Sequence, residues 1–362
     1  MQIALIGYAH PFGEGLYYGA ERIIYYLALE LRKRGHNVVI FSVKGCNLPG
    51  FEYVEIPKCW DDKVDLYYNA VKKYEQDKGI KFDMVHSFQA SGYIDPRFRS
   101  EYNYCLEPFM SFGKNHPGHW AENIIAYSEK LNSLNGGDST TRYFGIPDDF
   151  YSDWSEEGDY LVWIGRMDPG KGPDNAIEIA KRVGKRIILM GPSYHYPYFV
   201  DKCWPYIDGD KVIWLRAVND GMKKRVFKKA LAFINPIWEQ YHEMFGITNI
   251  ESLAHGVPIV GWNNAVQPSA IGYNGGEIIQ NGKHGFIINH NMYSAEEREK
   301  AIQASVEAVR NIGSISRKDC RQLFLDRFTS KIMTDKCLKY YEIVQQRKKV
   351  YNVTKDIGGL GL

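Results

Sequence analysis

Between Gln2 and Val43 the chain passes through an apolar run, an amphipathic helix pattern and a second apolar run, and no other feature limits its fold as much. QIALIG (2–7) stops at Gly7, as a buried strand does. From about Ala20 to Arg34, the residues Ile23, Ile24, Leu27, Ala28 and Leu31 recur on one helical face. Arg32, Lys33 and Arg34 suit the negative end of the helix dipole, and Gly35 suits the left-handed residue that closes a helix. NVVIFSV (37–43) follows as a second strand. Two strands joined by one helix form a βαβ unit, so a parallel sheet is expected. Further strands are expected at 51–56, 83–88, 102–106 and 123–127.

GIPDDFYSDWSEEGD (145–159) is polar, turn-rich and aperiodic, and reads as a linker. The alternation then restarts. Strands are expected at 160–165, 186–190, 211–215, 232–235 and 257–261, and helices at about 174–183, 221–231 and 248–255. From 295 onward the chain reads as helical, with Ile302, Val306 and Val309 on one face. A length of 362 residues suits two domains at roughly 150 residues each. The expected division is 1–150 and 151–335, followed by a helix at 336–362 that crosses back to the first domain and ends in a mobile GGLGL tail.

Lys and Arg number 45 against 43 Asp and Glu, a formal charge of +2 that excludes a basic nucleic-acid coat and an acidic tail. With 44% hydrophobic and 24% charged residues the chain is globular rather than disordered. The 26 Tyr suit sugar-stacking surfaces as well as ordinary packing. Six Cys without a C-x-x-C pair read as free thiols in a reducing compartment rather than a disulfide framework or zinc site. MQIALIGYAHPFG has no cationic leader and reads as a first strand, not a signal peptide. No apolar run approaches the ~18–20 residues that span a bilayer. These features lead to the expectation of a soluble, cytoplasmic protein.

The sharpest chemical signal is PIWEQYHEMFGITNIESLAHGVPIVG (236–261), which holds Glu243 and Glu251. Eight steps along one helix would turn them about 80° apart. Gly246 permits another geometry, with Glu243 in a loop, Glu251 in the first turn of the next helix, and that helix's anion-attracting N-terminus between them. Thr248-x-x-Glu251 also spells a capping box, and Glu243 alone reads equally as a solvated loop carboxylate. In YLVWIGRMDPGKGP a strand ends at Gly165, and Arg166 and Lys171 project from the loop beyond it. Ligands in open α/β sheets bind outside the carboxyl ends of strands. Each cation would give a diphosphate about 4 kcal/mol of gross Coulomb attraction at 4 Å and an effective dielectric near 20; the alternative is a solvated Arg and Lys. This loop is no Walker motif. The first βα loop, His10 to Glu21, carries Gly13, Gly15 and Gly19, which allow close backbone approach, but it does not spell the dinucleotide fingerprint. Asp208-Gly209-Asp210 spells D-x-D, and its place between a Pro-containing segment and a strand reads as a turn.

Together these segments resemble the glycosyltransferase family 4 type of retaining enzyme, nearly end to end. Gly19-Ala20-Glu21-Arg22 is similar to the family's GGxER segment, GRMDPGKGPDNAIEIAK to its GR…KG…L…A segment, and EMFGITNIESLAHGVPIVG to its E-x7-E segment with the small-residue-Gly-x-Pro beyond. GKHGFIIN looks like the glycine turn that follows, and IIAYSEK like the last strand of the first domain. The resemblance implies an α/β fold of GT-B type, two Rossmann-like domains with parallel sheets facing across a cleft and C-terminal helices. The first domain would bind the acceptor and the second the nucleotide sugar.

The implied activity is transfer of a hexose-type sugar, with retention, from a UDP- or GDP-sugar to a glycan, lipid-linked or small-molecule hydroxyl, with no metal and no other cofactor. Arg166 and Lys171 correspond to the family's diphosphate-binding cations, Glu243 to the residue on the transferred sugar and Glu251 to the one holding ribose hydroxyls. Gly19 corresponds to the glycine near the phosphates. Val218, in the base-contacting segment Ala217–Asp220, and Phe245, Gly246 and Ile247 complete the implied donor-binding set. Two departures stand out. Tyr18 replaces the first glycine of the family's pair, and Glu107 stands where many members have a catalytic His, with His86 as the fallback. The alternatives are a nucleotide-sugar epimerase or phosphorylase of the same fold, or a non-catalytic nucleotide- or glycan-binding protein. No nucleic-acid partner is expected. Basic runs at 222–229 and 347–349 read either as peripheral membrane contacts or as solvated faces.

Overall fold

A computed structural model describes residues 1–7, 10–14, 19, 21–57, 65–88, 95–108, 123–134, 140–149, 154–238, 243–265, 268–291 and 293–358, with backbone alone for 349–358. The chain divides into two compact units, Met1–Gly145 with Ser330–Leu362, and Ile146–Thr329. The sequence reading places these boundaries at 150 and 335, and its GGLGL tail falls, beyond Gly358, outside the described residues.

The first unit contains β1 (Gln2–Ile6), α1 (Glu21–Lys33), β2 (Asn37–Val43), β3 (Glu52–Ile56), α2 (Asp65–Lys78), β4 (Met84–Ser87), α3 (Pro96–Glu101), β5 (Tyr104–Leu106), β6 (Ile125–Ala126), α4 (Glu129–Leu134) and β7 (Thr140–Thr141). Five strands form a parallel sheet in the order β3-β2-β1-β4-β5, with Gln2 opposite Asn37 and Ile3 opposite Met84. β1 and β2 are near-continuous apolar runs because both faces of a parallel sheet are covered. Ile23, Ile24, Leu27, Ala28 and Leu31 of α1 are buried as their spacing predicts, each large side chain contributing about 1.5–3 kcal/mol. Helix α2 lies outside the sequence expectation. It buries Tyr67, Tyr68, Val71 and Tyr74, and its tyrosines hide the apolar period. Tyr74 meets Phe41 of β2 edge-on at 5.8 Å. Five tyrosines in this core account for part of the Tyr excess by ordinary packing.

The second unit runs β8 (Tyr160–Ile164), α5 (Pro173–Val183), β9 (Ile187–Met190), α6 (Tyr196–Tyr198), β10 (Val212–Trp214), α7 (Asp220–Lys228), β11 (Ala230–Asn235), α8 (Ile247–Ala254), β12 (Ile259–Asn264), β13 (Gly285–His290), α9 (Ala295–Arg310) and α10 (Arg317–Arg327). Its parallel sheet has the order β10-β9-β8-β11-β12-β13. The stretch read as a glycine turn is the start of β13. Gly285 has φ +151°, and a Cβ there would lie 2.0 Å from the Ile259 carbonyl oxygen, so only glycine lets the strand begin against β12. Asp208 behaves as the turn reading predicts, since its Oδ1 accepts from the N–H groups of Asp210, Lys211 and Val212 at 2.8–2.9 Å.

The last helix, α11 (Ser330–Gly358), belongs to the first unit along its whole length. Arg34, just beyond α1, donates to Asp335 at 2.7 Å and to the Lys331 carbonyl at 3.1 Å. Of the basic run at 347–349, Arg347 donates to Asn123 and Lys348 to the Tyr102 carbonyl. Among the described residues no helix is long and apolar enough to cross a membrane.

Candidate functional site

Each sheet has a point where the strand order reverses, between β1 and β4 in the first unit and between β8 and β11 in the second. From β8 the chain leaves toward α5 and β9 on one side, and from β11 toward α8 and β12 on the other. The loops beyond these two strands therefore diverge and leave a crevice at their carboxyl ends, where doubly wound sheets bind ligands. The first of these loops carries Arg166 and Lys171; the second carries Glu243.

The structure brings Lys171 and Glu243 together. Lys171 Nζ lies 2.5 Å from Glu243 Oε2, and each side chain is 16% exposed. Asp168 shapes the first loop by accepting from the Lys171 N–H at 3.0 Å, closing a single 3-10 turn, and it pairs with Arg166 Nε at 3.1 Å. Trp163 of β8 donates to the Lys171 carbonyl at 3.1 Å. Gly172 has φ +61°, with the Pro236 carbonyl oxygen 2.2 Å from where a Cβ would sit. The Trp238 N–H reaches the Gly170 carbonyl at 2.9 Å, so the two loops are stapled through their backbones. Arg166 is nearly half exposed and directed to Asp168, a member of the same loop rather than of the ion pair.

Helix α8 begins at Ile247 with Gly246 as its N-cap residue at φ +78°, and Glu243 Cγ lies 3.1 Å from the position of a Gly246 Cβ. Glu243 thus stands beside the helix N-terminus, where first-turn N–H groups lie outside the helical ladder. The capping box is not formed. Thr248 is already inside the helix and no side chain caps its start. Glu251 falls in the second turn rather than the first, 1% exposed, with Oε1 2.6 Å from Lys223 Nζ of α7. Lys223 also meets Asp220 at 2.6 Å. Glu251 thus meets a lysine of α7, while Glu243 meets Lys171. Phe245 is buried against Phe328 at 6.0 Å, Ile247 and Gly246 are half-buried, and Val218 is half-buried in the loop ahead of α7.

In the first unit Gly19 is exposed, with open space where a Cβ would lie, while Tyr18 and Gly15 fall outside the described residues. His86 and Glu107 are fully buried. Glu107 pairs with Arg142 and lies 3.4 Å from His86 Nε2, and His86 Nδ1 meets the Tyr341 hydroxyl at 2.8 Å. Burial lowers the His86 pKa despite the carboxylate. For Glu107, burial opposes the charge but Arg142 and His86 outweigh it and hold the carboxyl below its usual range. Both catalytic candidates are thus engaged inside the first unit, tying β4 and β5 to α11, instead of standing at a surface.

Residues 148–319 match the family model of the glycosyl transferases group 1, a span that lies within the second unit. AviGT4, a glycosyltransferase involved in avilamycin A biosynthesis, superposes with a TM-score of 0.71 at 16% identity, covering 95% of this chain and 98% of that one. The fold is GT-B. A Rickettsia africae glycosyltransferase (TM-score 0.70, 16% identity, 95% and 98% coverage) has the same GT-B architecture, as does HepE of Anabaena in complex with UDP and glucose (TM-score 0.63, 13% identity, 94% and 99% coverage). An uncharacterized glycosyltransferase of Methanocaldococcus jannaschii is 26% identical over 140 residues, 38% of this chain; the match spans 31% of that relative's length. The solved structures share the fold of the chain, and the family model matches its second unit.

Two residues of this candidate site escape the motif reading. Asp168 sets the cation loop, and the Asp-Pro-Gly turn spelling is its signal. Lys223 lies in the basic run 222–229 read as a surface, yet it is buried between Asp220 and Glu251. The i,i+3 spacing of Asp220 and Lys223 is the trace of that pairing in the sequence.

Proposed function

We propose that the protein is a retaining glycosyltransferase that moves a hexose-type sugar from a nucleotide-diphosphate sugar to an acceptor hydroxyl without a metal ion. The observation that carries this reading is the Lys171–Glu243 pair, drawn from two loops at the strand switch point and set beside the α8 N-terminus. An ammonium, a guanidinium five residues earlier in the same loop and a helix N-terminus match the charge that a leaving diphosphate develops.

The chemistry follows from that charge. As the anomeric C–O bond breaks, its electron pair goes to the diphosphate oxygen, and positive charge spreads over the sugar ring. Lys171, Arg166 and the α8 N–H groups stabilise the leaving group, being fixed before the bond breaks. Glu243, released from Lys171 when the diphosphate takes the ammonium, turns to the sugar. The acceptor hydroxyl attacks on the face that the leaving group departs from, which retains the anomeric configuration. Glu251 acts as a positioning residue: through Lys223 it holds α7 and the Val218 loop where the nucleoside lies. The UDP and UDP-glucose complexes of HepE favour uridine in that place.

The test is nucleoside diphosphate release from UDP-, GDP- and ADP-hexoses in EDTA, with the product anomer read by NMR. The expected result is metal-free release from one donor class and a product of unchanged anomeric configuration. Strict Mg²⁺ dependence, or recovery of a 2-epimerised sugar, contradicts the reading.

A further inference from the structure

The start of α8 is anchored by a chain of buried amides. Asn235, the last residue of β11, donates from Nδ2 to Asn249 Oδ1 at 2.9 Å. Asn249, in the first turn of α8, donates from its own Nδ2 to the Phe245 carbonyl at 3.2 Å. Asn249 is fully buried and Asn235 nearly so, which shields both bonds from competing water. A carbonyl oxygen only accepts, so the Asn249 atom facing Phe245 is its nitrogen, and that fixes the orientation of both amides.

Phe245 immediately precedes Gly246, the N-cap residue of α8. A trans peptide is planar, and its N–H points opposite to its C=O. With the Phe245 carbonyl drawn to the buried Asn249, the Gly246 N–H is turned away from that amide. Among the described residues no acceptor meets this N–H. Glu243 Cγ lies 3.1 Å from the position of a Gly246 Cβ, which places Gly246 beside the Lys171–Glu243 pair. Gly246 has φ +78°, and without a Cβ the reversed peptide is sterically open to it, so the observed orientation needs an anchor. Two leucines would fill the places of Asn235 and Asn249 without burying polar groups, but they could not hold that carbonyl.

We propose, on the reading that this crevice takes a nucleotide-diphosphate sugar, that Asn249 is a positioning residue anchored by Asn235: it aims the Gly246 N–H at the phosphate that carries the sugar. Glu243 faces the sugar in that reading, so the N–H beside it meets the sugar-bearing phosphate rather than the one on the nucleoside. Asn249 itself touches no substrate. It acts through one peptide plane, which is set before the donor arrives.

The test is calorimetric titration of UDP, GDP and ADP, each beside its monophosphate, into the native chain, Asn249→Leu and the double variant Asn235→Leu/Asn249→Leu, with thermal midpoints measured alongside. Asn249→Leu strands the Asn235 amide, whereas the double variant removes both partners and is expected to regain the native midpoint. The double variant serves alone if Asn249→Leu fails to fold. Both variants are expected to bind the preferred diphosphate about 10-fold more weakly than the native chain does, the loss of one hydrogen bond to a charged group. Both are expected to bind its monophosphate as tightly as the native chain. A diphosphate affinity that returns with the midpoint in the double variant overturns the proposal, and so does an unchanged affinity or an equal loss for the monophosphate. If the native chain binds none of the three diphosphates, the donor reading itself falls, and the positioning role falls with it.

Discussion

Glu243 holds Lys171 through an ion pair that is only 16% exposed at each end, so under the proposed function a diphosphate would reach the ammonium by displacing a carboxylate. This competition makes the two residues separable. Lys171→Ala and Glu243→Ala are each expected to slow transfer at least 100-fold, roughly 2.7 kcal/mol of transition-state stabilisation, in a steady-state assay with the preferred donor. Lys223 answers to a different measurement. Its pair with Glu251 is buried, and Lys223→Met leaves that carboxylate without its cation at a cost of about 3–5 kcal/mol. Adding Glu251→Leu is expected to recover much of the loss in urea unfolding, while recovering no activity; a double variant as unstable as the single contradicts the pairing. At this scale the sequence shows Glu243 and Lys171 through motif spacing, but not which charge meets which. Lys223 looks like its solvated neighbours because burial depends on what α8 brings opposite it.

The two loops and the helix that follows them are the elements that make the site. Gly172 sits at φ +61° with the Pro236 carbonyl against it. Gly172→Ala therefore carries roughly 1–2 kcal/mol of backbone cost besides a collision, and it is expected to weaken donor binding about 10-fold by calorimetry while leaving the sheet folded. At the far end of α8, burial lowers the His255 imidazole to about 4, although the Glu251 carbonyl at 2.8 Å supports the charged ring. The unfolded chain takes up that proton near 6.5 and the folded chain refuses it until about 4. His255 thus contributes stability that is complete above 6.5 and lost as the pH falls toward 4, at up to ~1.4 kcal/mol per pH unit. His255→Gln is expected to flatten the pH dependence of the urea midpoint between pH 7 and 4.5, and an unchanged slope contradicts the assignment. Legibility differs among the elements for physical reasons. β1, β2 and β8 are plain because sheet interiors demand unbroken apolar runs, and α1 because its apolar residues recur on one helical face. Helix α2 hides its period in tyrosines, and β13 begins on a glycine that reads as a turn until Ile259 is seen beside it.

Over the whole molecule, α11 decides how the first unit holds together. Tyr341 and Cys337 from this helix are fully buried, and Tyr341 closes the His86–Glu107–Arg142 cluster. Removing residues 330–362 is expected to make 1–145 protease-sensitive while 146–329 resists, and resistance of both segments contradicts that role. No local pattern reveals this closure, because it joins positions about 250 residues apart. The most direct test of the account is calorimetric titration of UDP and GDP into the native chain, Lys171→Ala and Glu243→Gln. The account predicts that one nucleotide binds the native chain, at least 10-fold more weakly to Lys171→Ala, and as tightly or more tightly to Glu243→Gln, because neutralising the carboxylate frees the ammonium for phosphate. Equal affinity of the native chain and Lys171→Ala would contradict it.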